Sequence, residues 1–122
     1  MPASLQRVDR MCDELKEFLD LQQLGSHFFD LSLILREALI NAVVHGCHLD
    51  GNQRIRVNIQ CEPQGIIMVV EDPGPGFDWQ RHQGSEADIW QDHGRGMTIF
   101  RCYATDVTYN KKGNRITLRK SF

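Results

Sequence analysis

The sequence has no run of apolar residues long enough to span a bilayer, and its first residues, MPAS, carry no signal-peptide core. It also lacks an excess of either charge, because its formal net charge at pH 7 is only -2. This near balance gives no electrostatic reason to expect a nucleic acid or an anionic membrane as a partner. We therefore expect a cytoplasmic protein in which any anionic ligand is held by local groups.

Cysteine is present but is not spaced as in metal or redox motifs. The chain of 122 residues has 4 cysteines, which stand singly among mostly apolar neighbours, at Cys12, Cys47, Cys61 and Cys102. We predict reduced thiols that fill space. Because 41% of the residues are hydrophobic and no internal repeat occurs, residues 1–122 are expected to form a single domain around one core.

Two helices are predicted in the first half of the chain. Apolar residues recur every three or four positions over residues 5–19, which is typical of an amphipathic helix, with Ser4 as its N-cap and Gly25 as its stop. A second helix is predicted to begin at residues 28–30, with Asp30 as its cap, and to end near Gly46.

The second helix carries a polar stripe on an otherwise apolar sequence. Glu37, Asn41 and His45 drift by only about 40° per step at about 100° per residue, and His48 falls in the same stripe. Polar groups on a largely buried helix are costly unless they are paired. The stripe therefore faces either an internal hydrogen-bond network or a ligand, and the pattern alone leaves both open.

In the second half of the chain, apolar and polar residues alternate with the period of two that is typical of strands. Residues 66–70 are all apolar, and the strands are predicted in two antiparallel hairpins, at 54–61 with 66–71 and at 106–110 with 115–119. Residues 79–93 are polar without a clear period, and a loop of this length is typically functional or mobile. A short helix follows at 97–104. These elements predict an α+β two-layer sandwich, with a mostly antiparallel, mixed sheet and helices on one face.

Two glycine motifs each have a structural and a functional interpretation. Asp72-x-Gly74-x-Gly76 after the second strand is a tight turn, or it places a carboxylate against an adenine amine and lets backbone approach a flat ring. Gly94-Arg95-Gly96 before the short helix is a hinge, or it frees backbone amides for an anion such as phosphate.

The order and spacing of the motifs decide between these interpretations. The series Glu37-x-x-x-Asn41-Ala42-x-x-His45-Gly46, Asp72-x-Gly74-x-Gly76-Phe77 and Gly94-x-Gly96 resembles the ATP-binding (GHKL, or Bergerat) fold of gyrase, heat-shock chaperones, sensor histidine kinases and mismatch-repair ATPases. Within that superfamily the chain looks like the anti-sigma-factor serine/threonine kinases of bacterial partner-switching systems. The resemblance covers residues 5–119.

The resemblance implies a role for each motif residue. Asn41 would ligate Mg²⁺, which bridges the phosphates of ATP, and Glu37 would be the general base. Asp72 would read adenine. The remaining implied nucleotide contacts are His45 and Arg95 on the phosphate side, Gly74 and Gly76 as the ring's backbone wall, Gly94 and Gly96 as the phosphate cradle, and Phe77, Met97 and Asn114. A core histidine near the helix end and an exposed arginine on the lid are equally good interpretations of His45 and Arg95.

The sequence departs from the family pattern in three ways. The first helix starts within a few residues of Met1 and leaves little room for the family's first strand, so the usual sheet size and homodimer are in doubt. The family's late Gly-Thr is replaced by Gly113-Asn114, which would weaken one polar contact near the nucleotide. The predicted lid, residues 79–93, is short, which favours the anti-sigma branch over sensor kinases.

Two functions are compatible with the sequence. The chain is expected either to phosphorylate a STAS-type antagonist of an anti-sigma factor and sequester a sigma factor, or to act as a nucleotide-dependent binding module without kinase activity. Glu37 favours catalysis, because a binding module has no use for a base there. No phosphoacceptor helical domain is found in these 122 residues, so autokinase activity in cis is not expected.

Overall fold

A computed structural model of the chain describes residues 1–76 and 94–122, with backbone only for residues 94–98. Its elements in chain order are α1 (Leu5–Leu21), a 3₁₀ turn (Gly25–His27), α2 (Phe28–Asn41), a π-helical turn (Ala42–Gly46), β1 (Arg56–Glu62), β2 (Gly65–Glu71), α3 (Gly94–Tyr103), β3 (Asp106–Tyr109) and β4 (Arg115–Ser121). The loop predicted at 79–93 lies outside the described residues.

The four strands form one sheet in the order β1-β2-β4-β3, and both predicted hairpins are confirmed. Every pairing of the described strands is antiparallel, with Met68 of β2 between Ile59 of β1 and Leu118 of β4. Three helices and one antiparallel sheet form the predicted α+β fold.

The core lies between the sheet and α2, which contacts α1, α3, β2 and β4. Alternate residues of β2 are buried at Ile66, Met68 and Val70, and those of β4 at Ile116 and Leu118, because a strand presents every second side chain to one face. Burial of each such large apolar side chain contributes about 1.5–3 kcal/mol. The matching apolar set on α2 includes Leu31, Ile34, Leu35 and Leu39.

The segment before α1 is paired with the chain leading into β1. Pro2 and Arg54 form an antiparallel bridge, the Ala3 N–H donates to the Gln53 carbonyl at 3.0 Å, and the Ile55 N–H donates to the Met1 carbonyl at 2.7 Å. Among the described residues, this segment forms an isolated bridge beside β1 and not a strand.

The start of α1 is as predicted, but its end is not. The Ser4 hydroxyl accepts from the Arg7 N–H at 3.3 Å. The helix ends at Leu21, and Gln23 rather than Gly25 takes the left-handed conformation, with φ 61°. The Leu24 N–H then donates to the Leu19 carbonyl at 2.7 Å, which is the long hydrogen bond of a Schellman end. Gly25 begins the 3₁₀ turn instead.

The cap predicted for α2 is wrong. The 3₁₀ turn runs directly into Phe28, so Asp30 lies inside the first helical turn, where its carboxylate is 3.5 Å from Lys120 Nζ. The helix does extend to Gly46, but its last turn is a π turn, in which the Cys47 N–H donates to the Ala42 carbonyl at 2.9 Å. His48 follows with φ 49° and is not part of the helical stripe.

Two further sequence predictions concern membrane-spanning segments and the cysteines. In the described part of the chain, no helix is both long enough and apolar enough to cross a membrane. All four cysteines are free, with Cys12 and Cys47 buried and Cys61 and Cys102 exposed, so only the first two fill space in the interior.

Candidate functional site

The polar stripe is set by α2 and its π turn. Glu37 and Asn41 are both half-buried and lie one turn apart on α2, as their spacing predicts. His45 is exposed and lies in the π turn, beyond the regular part of the helix. A wide turn at the end of a helix that carries two polar residues is typical of functional sites.

The end of α2 is in direct contact with the loop after β2. A Cβ placed on Gly46 would lie 2.5 Å from Asp72 Oδ2 and 2.6 Å from Oδ1, so only a glycine lets the carboxylate lie against this backbone. A Cβ on Gly74 would clash in turn with the Gly46 carbonyl oxygen. Gly46 must lack a side chain to admit the Asp72 carboxylate, and Gly74 must lack one to admit the Gly46 carbonyl. Two motifs that are 26 residues apart in sequence therefore form one structure.

The Asp72 carboxylate is half-buried and fixed on one side. Its Oδ1 accepts from the Gly74 N–H at 2.8 Å. Burial raises the pKa of this carboxyl, and Glu71 adds to the rise, while the Gly74 hydrogen bond and Lys112 oppose it. Among residues 1–76 and 94–122 no hydrogen bond reaches Oδ2, so this oxygen can accept from a ligand.

The β3–β4 turn holds the backbone of Asp72. Asn114 Nδ2 donates to the Asp72 carbonyl at 2.8 Å, and the Asp72 N–H donates to the Asn114 carbonyl at 2.9 Å. The Asn114 Oδ1 accepts from Asn110 Nδ2 at 2.8 Å. Both ends of the Asn114 amide are therefore bonded within the protein, and this side chain positions Asp72. Its predicted contact with a nucleotide stays a prediction.

Asn110 organises the β3–β4 turn, and the sequence analysis did not identify it. Its Oδ1 accepts from the backbone N–H groups of Gly113 at 2.8 Å, Asn114 at 3.1 Å and Arg115 at 3.1 Å. An asparagine at a strand end, directly before Lys-Lys-Gly-Asn, is a turn signal that could have identified it.

The backbone conformation at position 76 requires a glycine. Its φ is +77°, which side chains other than glycine rarely adopt, and a Cβ there would clash with the Lys112 carbonyl. The Asp72–Gly76 loop is thus clamped between the end of α2 and the β3–β4 turn.

The last motif lies at the start of α3, as predicted, but the helix begins at Gly94 and not at Met97. Gly94, Arg95 and Gly96 form its first turn and Met97 follows, although their side chains are outside the described atoms. The first N–H groups of a helix have no intrahelical partner and attract anions. Phe77 lies outside the described residues.

The described residues hold no cluster of three or more His, Cys, Asp or Glu side chains that could bind a metal alone. A hard cation would need oxygen ligands from a bound phosphate beside the amide oxygen of Asn41, and a half-buried amide oxygen fits that requirement.

Comparison with known proteins is consistent with this geometry. A family model described as a histidine kinase-like ATPase domain matches residues 1–120. Among solved structures, the histidine kinase domain of the blue-light activated histidine kinase from Erythrobacter litoralis is similar, with TM-score 0.56 and 13% identity. The match covers 98% of this chain but only 59% of that chain, and at this identity it shows the fold alone. A search of curated proteins gave no match.

Proposed function

The chain belongs to the histidine kinase-like ATPase domain family, and from this premise we propose that it is a protein kinase that transfers the γ-phosphoryl group of ATP to a serine or threonine of a partner protein. The partner we propose is a STAS-type antagonist of an anti-sigma factor, with a sigma factor held by the chain when the antagonist is phosphorylated. The contact between Asp72 and Gly46 carries the proposal, because it joins an adenine-reading carboxylate to the helix that bears Asn41 and Glu37.

Adenine recognition follows from the state of Asp72. Its Oδ1 is occupied by the Gly74 N–H, and Oδ2 is left to accept from the exocyclic amine of adenine. The absence of side chains at Gly46 and Gly74 lets a flat ring come close to the backbone. Guanine presents an acceptor in place of that amine, so the site favours ATP over GTP.

The order of groups along α2 matches the order of groups in ATP. Gly46 lies beside the adenine-reading carboxylate, Asn41 precedes it by five residues, and Glu37 lies about 6 Å further along α2 at about 1.5 Å per residue. Asn41 would hold Mg²⁺ through its amide oxygen, and the ion supplies charge neutralisation to the phosphates when bound. Glu37 would then lie nearest the γ-phosphate.

The helix α3 supports the phosphate end of the site. Tyr103, its last residue, meets Phe29 at the start of α2 edge to face, with ring centroids 6.1 Å apart. The two helices also pack against one another. We propose that backbone N–H groups in the first turn of α3, at Gly94–Gly96, meet the phosphates.

Glu37 supports phosphoryl transfer to a hydroxyl group. An attacking serine or threonine hydroxyl must lose its proton, and a half-buried carboxylate next to the metal-binding residue can accept it. A protein that only binds nucleotide has no need of this group.

The test separates binding from chemistry on α2. Glu37→Gln should leave ATP affinity within about threefold and lower phosphoryl transfer by about 10²-fold or more. Asn41→Ala should weaken Mg²⁺-dependent binding as well as transfer, because it removes a metal ligand. Calorimetry with and without Mg²⁺ measures binding, and single-turnover transfer of labelled phosphate to antagonist proteins encoded nearby measures chemistry.

Equal transfer by Glu37→Gln and the parent would remove Glu37 from the mechanism. ATP binding without transfer to any candidate protein would favour the nucleotide-dependent binding module instead.

A further inference from the structure

A second concave surface lies on the sheet face opposite the helices. It has a volume of about 1060 Å³, and its lining includes Arg54, Arg56, Arg115, Glu71, Val69 and Pro73. Arg56, Glu71 and Arg115 are direct neighbours across β1, β2 and β4, on the face away from the buried Val70 and Ile116. We call this surface the arginine concavity. It is separate from the polar stripe of α2.

The arginine concavity is positively charged on a chain whose net charge is negative. It contains three guanidinium groups and one carboxylate, whereas the whole chain has a formal charge of -2. Glu71 Oε1 is 3.7 Å from Arg56 Nη1, and Glu71 Oε2 is 3.7 Å from Arg115 Nη1. Both distances are too long for hydrogen bonds, so the guanidinium donors remain able to bind a carboxylate.

Exposure and size also suit a ligand. The Arg56 side chain is 88% exposed and that of Arg115 is 50% exposed, while Glu71 is 26% exposed at the floor. The volume is at or above the usual range of small-ligand sites, about 300–1,000 Å³, and exceeds what a single phosphate requires. Val69 and Pro73 supply apolar contact for the aliphatic part of a larger ligand.

We propose that the arginine concavity binds an acidic segment of a protein partner through carboxylate contacts with Arg54, Arg56 and Arg115. A carboxylate matches the planar donor fork of arginine, and several carboxylates in one chain segment can engage several guanidinium groups at once. A nucleic acid fits less well, because Glu71 lies at the floor and the net negative charge of the protein repels a polyphosphate. This binding does not depend on ATP.

The experiment uses the full chain and an N-acetylated, C-amidated hexaglutamate peptide at low ionic strength. Amide chemical shifts should change at residues 53–58, 69–72 and 115, and the change should saturate. The double variant Arg54→Gln, Arg56→Gln should weaken the peptide about tenfold or more. Arg119→Gln is the matched control, because Arg119 lies on the same sheet face and pairs with Glu62 outside the concavity. It should bind the peptide within about twofold of the parent.

Addition of salt to 0.3 M should weaken the parent complex, because screening acts on exposed charge pairs. The proposal fails if no saturable shift appears at millimolar peptide, if the double variant binds like the parent, or if Arg119→Gln weakens binding equally. It also fails if an oligothymidylate of six nucleotides binds more tightly at the same residues, since the partner would then be a nucleic acid. Unchanged thermal unfolding midpoints show that the variants are folded.

Discussion

Burial of the Asp72 carboxyl beside Gly46 raises its pKa, and the Gly74 hydrogen bond offsets that rise only in part. In the proposed nucleotide site, the ionised form of this carboxyl is the one that can accept on both oxygens, from the Gly74 N–H and from adenine. Its environment therefore makes its charge more sensitive to acid than that of an ordinary aspartate, whose pKa is about 3.9. Two measurable consequences follow from this single residue, one for ligand affinity and one for folding.

The first consequence concerns the pH dependence of ATP binding. As pH falls through the raised pKa of Asp72, the carboxylate gains a proton and no longer accepts on both oxygens, so ATP affinity should fall. The loss should begin at a higher pH than an ordinary aspartate would give. Fluorescence titration of ATP between pH 4 and 8 measures it, and Asp72→Asn controls for protonation of adenine itself. A parent profile identical to that of Asp72→Asn would contradict the assignment.

The second consequence concerns Asp72→Asn at neutral pH. The variant should bind ATP more weakly by about 1–3 kcal/mol, because its amide donates where Oδ2 accepted. Its unfolding free energy should be equal to or higher than that of the parent. A carboxyl whose pKa is raised by folding favours the native state below its unfolded pKa and loses that contribution as pH rises through the folded pKa. Urea unfolding at pH 7 tests this, and a clear loss of stability would mean that Asp72 is mainly structural.

At the residue scale, the sequence identified the groups whose chemistry is tied to spacing. The i, i+4 relation of Glu37 and Asn41 and the Asp72-x-Gly74 motif were readable, because helix period and turn chemistry are local. Asn110 and the positioning role of Asn114 were not, because they depend on the contact of the β3–β4 turn with the loop after β2. That contact is set by the sheet order, which no local pattern encodes.

The role of Asn114 can be separated from direct contact with a nucleotide. Because its amide holds the Asp72 carbonyl, Asn114→Ala should weaken ATP binding only through Asp72. In the Asp72→Asn background the same substitution should then have much less effect, which makes the two changes non-additive. A double-mutant cycle with ATP calorimetry measures the coupling. Strict additivity would favour an independent contact between Asn114 and the nucleotide.

At the scale of elements, sequence pattern predicted the three α-helices and the four strands to within a few residues, whereas the 3₁₀ turn, the π turn and the ends of helices were less predictable. The left-handed residue after α1 is Gln23, although Gly25 stands two positions later. Leu24 packs on the core and its N–H bonds to the Leu19 carbonyl, so the position of the turn follows from tertiary packing. The π turn after Asn41 also has no sequence signal of its own.

The end of α1 gives a stability prediction. Gln23→Gly should raise the unfolding free energy by about 0.5–1 kcal/mol, because glycine adopts positive φ without the cost that other side chains bear. Gln22→Gly is the matched control, since Gln22 has φ -88° and gains nothing from glycine. It should leave stability unchanged or lower it. Urea midpoints at equal m-values compare the two. A loss of stability in Gln23→Gly would show that the Gln23 side chain contributes more than its strain costs.

At the scale of the whole molecule, the proposed nucleotide site joins parts that fold from distant sequence. The loop after β2 contacts both the end of α2 and the β3–β4 turn, and α2 and the strands share one core. A ligand that bridges these parts binds the native state and has no comparable site in the unfolded chain. Binding must therefore stabilise the entire domain by mass action.

Mg²⁺-ATP should accordingly raise the thermal unfolding midpoint of the full chain. At a free ligand concentration of 100 times Kd the native state gains about 2.7 kcal/mol, which for a domain of this size corresponds to a rise of roughly 10 °C. The rise should be smaller with GTP, because Asp72 Oδ2 would meet an acceptor, and smaller with ATP in chelator, because Asn41 would lose the metal. Asn41→Ala is the control: its midpoint should respond to ATP but not to added Mg²⁺. If millimolar ATP and ADP leave the parent midpoint unchanged, the contact between Gly46 and Asp72 serves the fold alone.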